Sequence, residues 1–148
     1  LYTMKLISHR GNIFGKNPDL ENRPDYILQA IKKGYDCEID VWLVRNKIFL
    51  GHDKIKEKLY EVKIDFLKNK KLWCHAKNIE ALNLMIKSNI HCFWHEDDLI
   101  TITSKGWLWC HPRQKKGFKN SITVLPELYK TKTNTFEGIC SDYIEKYK

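Results

Sequence analysis

Long apolar runs are missing from this 148-residue chain. None approaches the roughly 18 consecutive apolar residues that a helix needs to cross a bilayer, so no membrane-spanning helix is expected. Paired cysteines are missing too. The five present, Cys37, Cys74, Cys92, Cys110 and Cys140, are odd in number and include no CxxC pair, and each falls in a segment that reads as a strand. A disulfide framework and a cysteine-rich zinc site are therefore not expected, and the five read as small buried apolar residues. Internal repeats, low-complexity tracts and long linkers are absent as well, which leaves a single domain over residues 1–148. Residues 1–8 turn polar too soon for a secretory signal, and Met4 reads as a natural start, so the expected location is the cytoplasm.

What the chain does have is apolar content, 43% hydrophobic and 12% aromatic, enough for a packed core and too much for a disordered chain. Its formal charge is +8, with basic clusters at 68–71 and 113–116. Such a surface is either a solvated face or an attractor of anions: a phosphate substrate, an anionic membrane or nucleic acid. Charge alone does not choose among them.

Residues 5–9 read as a strand, followed by a loop with Gly11, Gly15 and Pro18. Helical spacing at Tyr26, Ile27, Ala30 and Ile31 predicts a helix over 24–33, with Asn22 as its cap and Gly34 as its stop. Strands follow at 35–44, 48–50 and 72–77, then a helix over 79–87 capped by Asn78. Four apolar runs, 91–94, 99–103, 107–110 and 122–125, leave little room for helices, and 138–142 reads as a last strand. Alternating strands and helices in the first half point to parallel βαβ units. With the 48–50 hairpin set aside, the strands number about eight, as in a closed TIM barrel, although such barrels typically take about 250 residues. The expected fold is therefore α/β: a shortened, TIM-barrel-like (β/α)8 with few helices in its second half. A homodimer would be one way to cover strand faces left open.

Polar residues collect at the predicted C-terminal strand ends, where barrels carry their active sites. Glu38 and Asp40 are two apart on one strand and share a face. Two inward carboxylates resist burial unless compensated, and a hard divalent cation compensates them directly. His9 and His52 follow different strands and together could supply an acid and a base. Arg10 suits phosphate oxygens, Gly11 permits close backbone approach, and Lys77, on the face of His75, adds positive charge. In the second half, His91 and His95 share a face, and Glu96 follows them. Trp107 and Trp109 share another face with His111 and read as core filling.

His9-Arg10-Gly11, Glu21-Asn22, the 34–41 segment around Glu38-Ile39-Asp40, Gly51-His52-Asp53 and the 138–143 segment, in that order, resemble the signature of the glycerophosphodiester phosphodiesterase family. The dense part of the match covers the first third of the chain. The resemblance implies a TIM barrel that cleaves glycerophosphodiesters to an alcohol and glycerol phosphate with a divalent metal. It implies His9 and His52 as the acid–base pair, Arg10 and Lys77 as phosphate ligands, Glu21 in support beside Arg10, and Glu38 and Asp40 as metal ligands. His75 stands where the family has a metal-binding glutamate. The third ligand is then His75, or else Glu96, Glu127 or Asp142. The expected metal is Mg2+ or Ca2+, with Mn2+ or Zn2+ admitted by the nitrogen of His75. The chain also lacks room for the family's cap insertion. The expected partner is a small anionic phosphodiester, with no obligatory nucleic acid. Two alternatives stand beside this reading. One is a non-catalytic module that binds phosphate, nucleic acid or lipid headgroups. The other is a sphingomyelinase-D-like phospholipase that forms a cyclic phosphate.

Overall fold

Strand β2 (Asp36–Val44) organises the structure, a computed structural model that describes residues 3–53 and 58–148. Its first half lies between two parallel neighbours, β1 (Lys5–His9) and β5 (Leu72–Ala76), with His9 beside Glu38 and His75 beside Asp40. Its second half turns back through Arg45 and Asn46, both with left-handed φ, into antiparallel β3 (Lys47–Leu50), which pairs with β4 (Tyr60–Val62). Beyond β1 the sheet continues in parallel through β10 (Gly138–Ser141), β9 (Ser121–Val124) and β8 (Leu108–Cys110), and then antiparallel to β7 (Ile100–Ile102). Beyond β5 lies β6 (Cys92–Phe93).

The sheet curls, and a few isolated hydrogen bonds link β6 and its flanks to β7 and its flanks. The Ser104 N–H donates to the Cys92 carbonyl (2.8 Å), and the Thr101 hydroxyl donates to the Trp94 carbonyl (2.9 Å).

This corrects the expected TIM-barrel-like (β/α)8. The described residues form a curled, mixed ten-stranded sheet with three α-helices: α1 (Pro24–Lys32), α2 (Ile64–Leu67) and α3 (Ile79–Lys87). Helices and parallel strands do not alternate through the chain. After β6 the connections are too short or too irregular to house crossover helices. The 94–99 link leads to an antiparallel pair, and 125–137 carries only a 3-10 turn, Pro126–Leu128.

Alternation along the strands divides the core into two layers. Cys37, Ile39 and Val41 face outward to α1 and α3, where they meet Ile27, Ala81 and Met85. Inside the curl, Ile7, Trp73, Phe93, Trp109, Ile122 and Cys140 pack together. Both faces of β2 are thus buried from Asp36 to Val41, and Glu38 and Asp40 are committed to the interior. All five cysteines are buried thiols, as the sequence suggested.

The helix caps differ from each other in how well the sequence foretells them. The Asn78 side chain caps α3 by accepting from the Ala81 N–H (3.0 Å), and it also bonds both backbone groups of Leu43, which ties α3 to β2. Asn22 does not cap α1. Arg23 holds the cap position ahead of Pro24, and Asn22 turns to the site described below.

At the end of the curl away from the site, the Trp73 indole donates to Asp36 (2.9 Å), which lies 3.5 Å from the amines of Lys5 and Lys71. His91 lies against Trp73, with ring centroids 4.4 Å apart, and its Nε2 meets the Thr103 hydroxyl at 2.8 Å. Burial, helped by Lys105, pushes its pKa down to about 4. The unfolded chain then takes up this proton first as pH falls. The stability that neutral His91 confers is intact above about pH 6.5 and lost toward about pH 4. In urea melts at pH 7 and pH 4.5, wild type is expected to lose more stability between the two than His91→Gln. Equal losses would refute this.

Among the described residues no helix is long and apolar enough to cross a membrane.

Candidate active site

The loop after β1 is shaped by two successive left-handed residues, Arg10 (φ 59°) and Gly11 (φ 96°). Glycine is required at the second, because a Cβ there would sit 2.5 Å from the Tyr26 ring. The Arg10 N–H donates to the Glu38 carbonyl (2.8 Å) and its carbonyl accepts from the Asn22 N–H (3.1 Å), so the loop folds back over β2. Alternation brings His9, Glu38, Asp40 and His75 to the inner face at the C-terminal ends of β1, β2 and β5.

Glu38 and Asp40 are essentially inaccessible to solvent, at 2% and 0% exposure. Asp40 is well supplied with partners. Its carboxylate lies 3.0 Å from Arg10 Nε and accepts from Asn22 Nδ2 (2.9 Å), while its backbone N–H donates to Asn22 Oδ1 (2.9 Å). Burial opposes its charge, but Arg10, His75 and Asn22 outweigh burial and hold the carboxyl well below the usual range. Glu38 is the opposite case. Burial, and then the charge of Asp40, push its carboxyl up against the pull of His9, Arg10 and His75.

Burial also works against a charged His9. The hydrogen bond between its Nδ1 and Asp142 (2.7 Å), together with Glu38 near its Nε2 (3.7 Å), wins and raises its pKa. The same bond to His9 keeps Asp142 low despite burial. Asn12 holds this pair in place, donating to Asp142 (2.8 Å) and to Glu21 (3.1 Å) while accepting from the Tyr26 hydroxyl (2.9 Å). Glu21 also accepts from Arg10 Nη1 at 3.1 Å.

A cavity of about 410 Å3 opens here. His9, Arg10, Glu38, His75, Lys77 and His52 line it, and Asp40 is buried behind. All the residues singled out in the sequence for this site thus converge on one place, with Glu21 attached through Arg10. Of the three other ligand candidates, Asp142 is paired with His9, Glu127 accepts from the Ser141 hydroxyl (2.8 Å), and Glu96 lines the cavity. His95 and His111 line the cavity too. The role of Asn12 and the His9–Asp142 bond were not legible in the sequence, and Asn22, noted there as a helix cap and beside Glu21 in the resemblance, instead serves Asp40.

The site fits a divalent cation. One ligand atom each from Glu38, Asp40 and His75 lies within 4.8 Å of the others. Glu38 Oε1 and Asp40 Oδ1 are buried without a hydrogen-bond partner among the described residues, so each acid keeps an unsatisfied acceptor. Two carboxylate oxygens and an imidazole nitrogen are an ordinary donor set for such an ion.

No protein-family model matches the chain, and no curated protein matches its sequence. Among solved structures, a glycerophosphodiester phosphodiesterase from Parabacteroides distasonis superposes with a TM-score of 0.51 at 11% identity, over 98% of this chain and 95% of that one. At that identity the likeness is one of fold.

Proposed function

We propose that the chain is a metal-dependent phosphodiesterase that hydrolyses a glycerophosphodiester, or a related phosphodiester, to an alcohol and a phosphomonoester. The observation that carries this reading is the Glu38–Asp40–His75 cluster in the same cavity as a histidine oriented by a carboxylate. The fold likeness and the ordered motifs of the sequence support it.

Asp142 fixes the His9 ring through Nδ1, which leaves Nε2 on the side of Glu38 for proton transfer. His9 and His52 divide the work: one takes a proton from the nucleophile, and the other gives one to the leaving oxygen. Arg10, braced by Glu21 and Asp40, and Lys77 bind phosphate oxygens and oppose charge that builds there. Glu38, Asp40 and His75 are the residues that would hold a divalent ion, which would supply Lewis-acid polarisation when bound. The net positive charge of the chain favours encounter with a small anionic substrate.

Hydrolysis of bis(p-nitrophenyl) phosphate is expected to fall to background in EDTA and to return on adding back metal. Failure to hydrolyse it with any of Mg2+, Ca2+, Mn2+ or Zn2+ would sink the proposal.

A further inference from the structure

His75 is held in one orientation from three directions. Its ring stacks on Phe93, with centroids 5.1 Å apart and planes 11° apart. Its Nε2 lies 3.1 Å from the His95 carbonyl oxygen. That oxygen can only accept, so Nε2 carries the hydrogen. The other nitrogen, Nδ1, therefore faces the acids, 3.3 Å from Asp40 Oδ1 and 3.8 Å from Glu38 Oε2. With Nε2 bonded to that carbonyl, the lone pair that a neutral imidazole keeps lies on Nδ1, on the side of the two buried carboxylates. A shared cation would be met there by three ligand atoms, one from each side chain. A ligating histidine whose far nitrogen donates to a backbone carbonyl is also the arrangement that fixes the tautomer and strengthens the ligand.

We infer that His75 Nδ1 is a direct metal ligand, locked in that tautomer by the His95 carbonyl. It tunes the centre toward a nitrogen-accepting d-block dication, such as Mn2+ or Zn2+, and away from Mg2+ and Ca2+. This rests on the metal-dependent reading above and adds the class of ion to it. Mg2+ and Ca2+ are hard ions that prefer oxygen, whereas imidazole suits Mn2+ and Zn2+. Almost any site binds Zn2+ more tightly than Mg2+, so an affinity order in wild type decides nothing. The decisive quantities are nitrogen coordination itself and the change in preference when nitrogen becomes oxygen.

The experiment uses the full chain, stripped with EDTA, desalted and loaded with Mn2+. Electron spin-echo envelope modulation is expected to show one coupled nitrogen in wild type and none in His75→Glu. Calorimetric titration with Mn2+ and Mg2+ is expected to show the Mn2+:Mg2+ affinity ratio falling about tenfold or more in His75→Glu, a change on the scale of ligand-environment effects. If Mn2+ binds wild type with no coupled nitrogen, or the ratio is unchanged in a folded variant, the inference is overturned while the metal-dependent reading stands. If neither ion binds wild type, both fall. The wild-type spectrum decides the matter even if the variant does not fold.

Discussion

His9→Ala is expected to lower the rate of phosphodiester hydrolysis by about 10²–10⁴-fold, the usual worth of a positioned acid or base. The position is built around this histidine. Its ring is set by the 2.7 Å bond to Asp142, and Asp142 is itself set by Asn12, which also grips the Glu21 that braces Arg10. The substitution leaves Glu38, Asp40 and His75 in place, so metal binding measured by calorimetry is expected to persist while turnover is lost. That contrast separates removal of a catalytic group from collapse of the site. Loss of metal binding along with activity, or activity within a few-fold of wild type, would remove His9 from the role assigned to it.

Glu38→Gln is expected to have opposite effects on the empty and the loaded protein. Without metal, Glu38 is a buried carboxylate beside a second one, and burial and Asp40 raise its carboxyl above the unfolded value. The sign follows directly. At pH well above both values, ionised Glu38 costs the metal-free fold stability, and that cost is relieved as pH falls and the group is protonated. Replacing it with a neutral amide of the same shape is expected to stabilise the metal-free protein and to raise its melting temperature by roughly a few degrees. With saturating metal the order reverses, because the variant has lost one of three ligands and with it the stabilisation that binding confers. The check is a pair of thermal melts, one in EDTA and one with metal. A variant less stable than wild type in EDTA would mean that Glu38 is a structural partner instead of a strained ligand. Function kept at the expense of stability is a common pattern at active sites.

The centre of the site was readable because strand geometry is simple. A period of two places Glu38 and Asp40 on one face and Cys37, Ile39 and Val41 on the other, whatever the fold around them. The family resemblance put His75 with the acids, and the strand register makes it the neighbour of Asp40. Asn78 was readable as a cap because capping is local.

What escaped depends on contacts between distant segments. The carboxylate that orients His9 comes from Asp142, at the far end of the chain. Asn22 was read as a local cap, but its left-handed backbone (φ 65°) turns it to Asp40, whose buried carboxylate needs donors more than α1 needs a cap. Beyond the 48–50 strand, β4 and the single turn of α2 are too short to carry periodicity. The barrel expectation failed for a related reason. A count of strands does not reveal their direction, and β3, β4 and β7 run antiparallel to their neighbours. The helices that define a (β/α)8 barrel are missing where the connections are short.

The most direct test is phosphorus NMR of a glycerophosphodiester incubated with the metal-loaded chain. The expected result is loss of the diester resonance and growth of a phosphomonoester resonance, both abolished by EDTA. An unchanged diester, or accumulation of a cyclic phosphate as the end product, would contradict hydrolysis at the His9–Glu38–Asp40–His75 site.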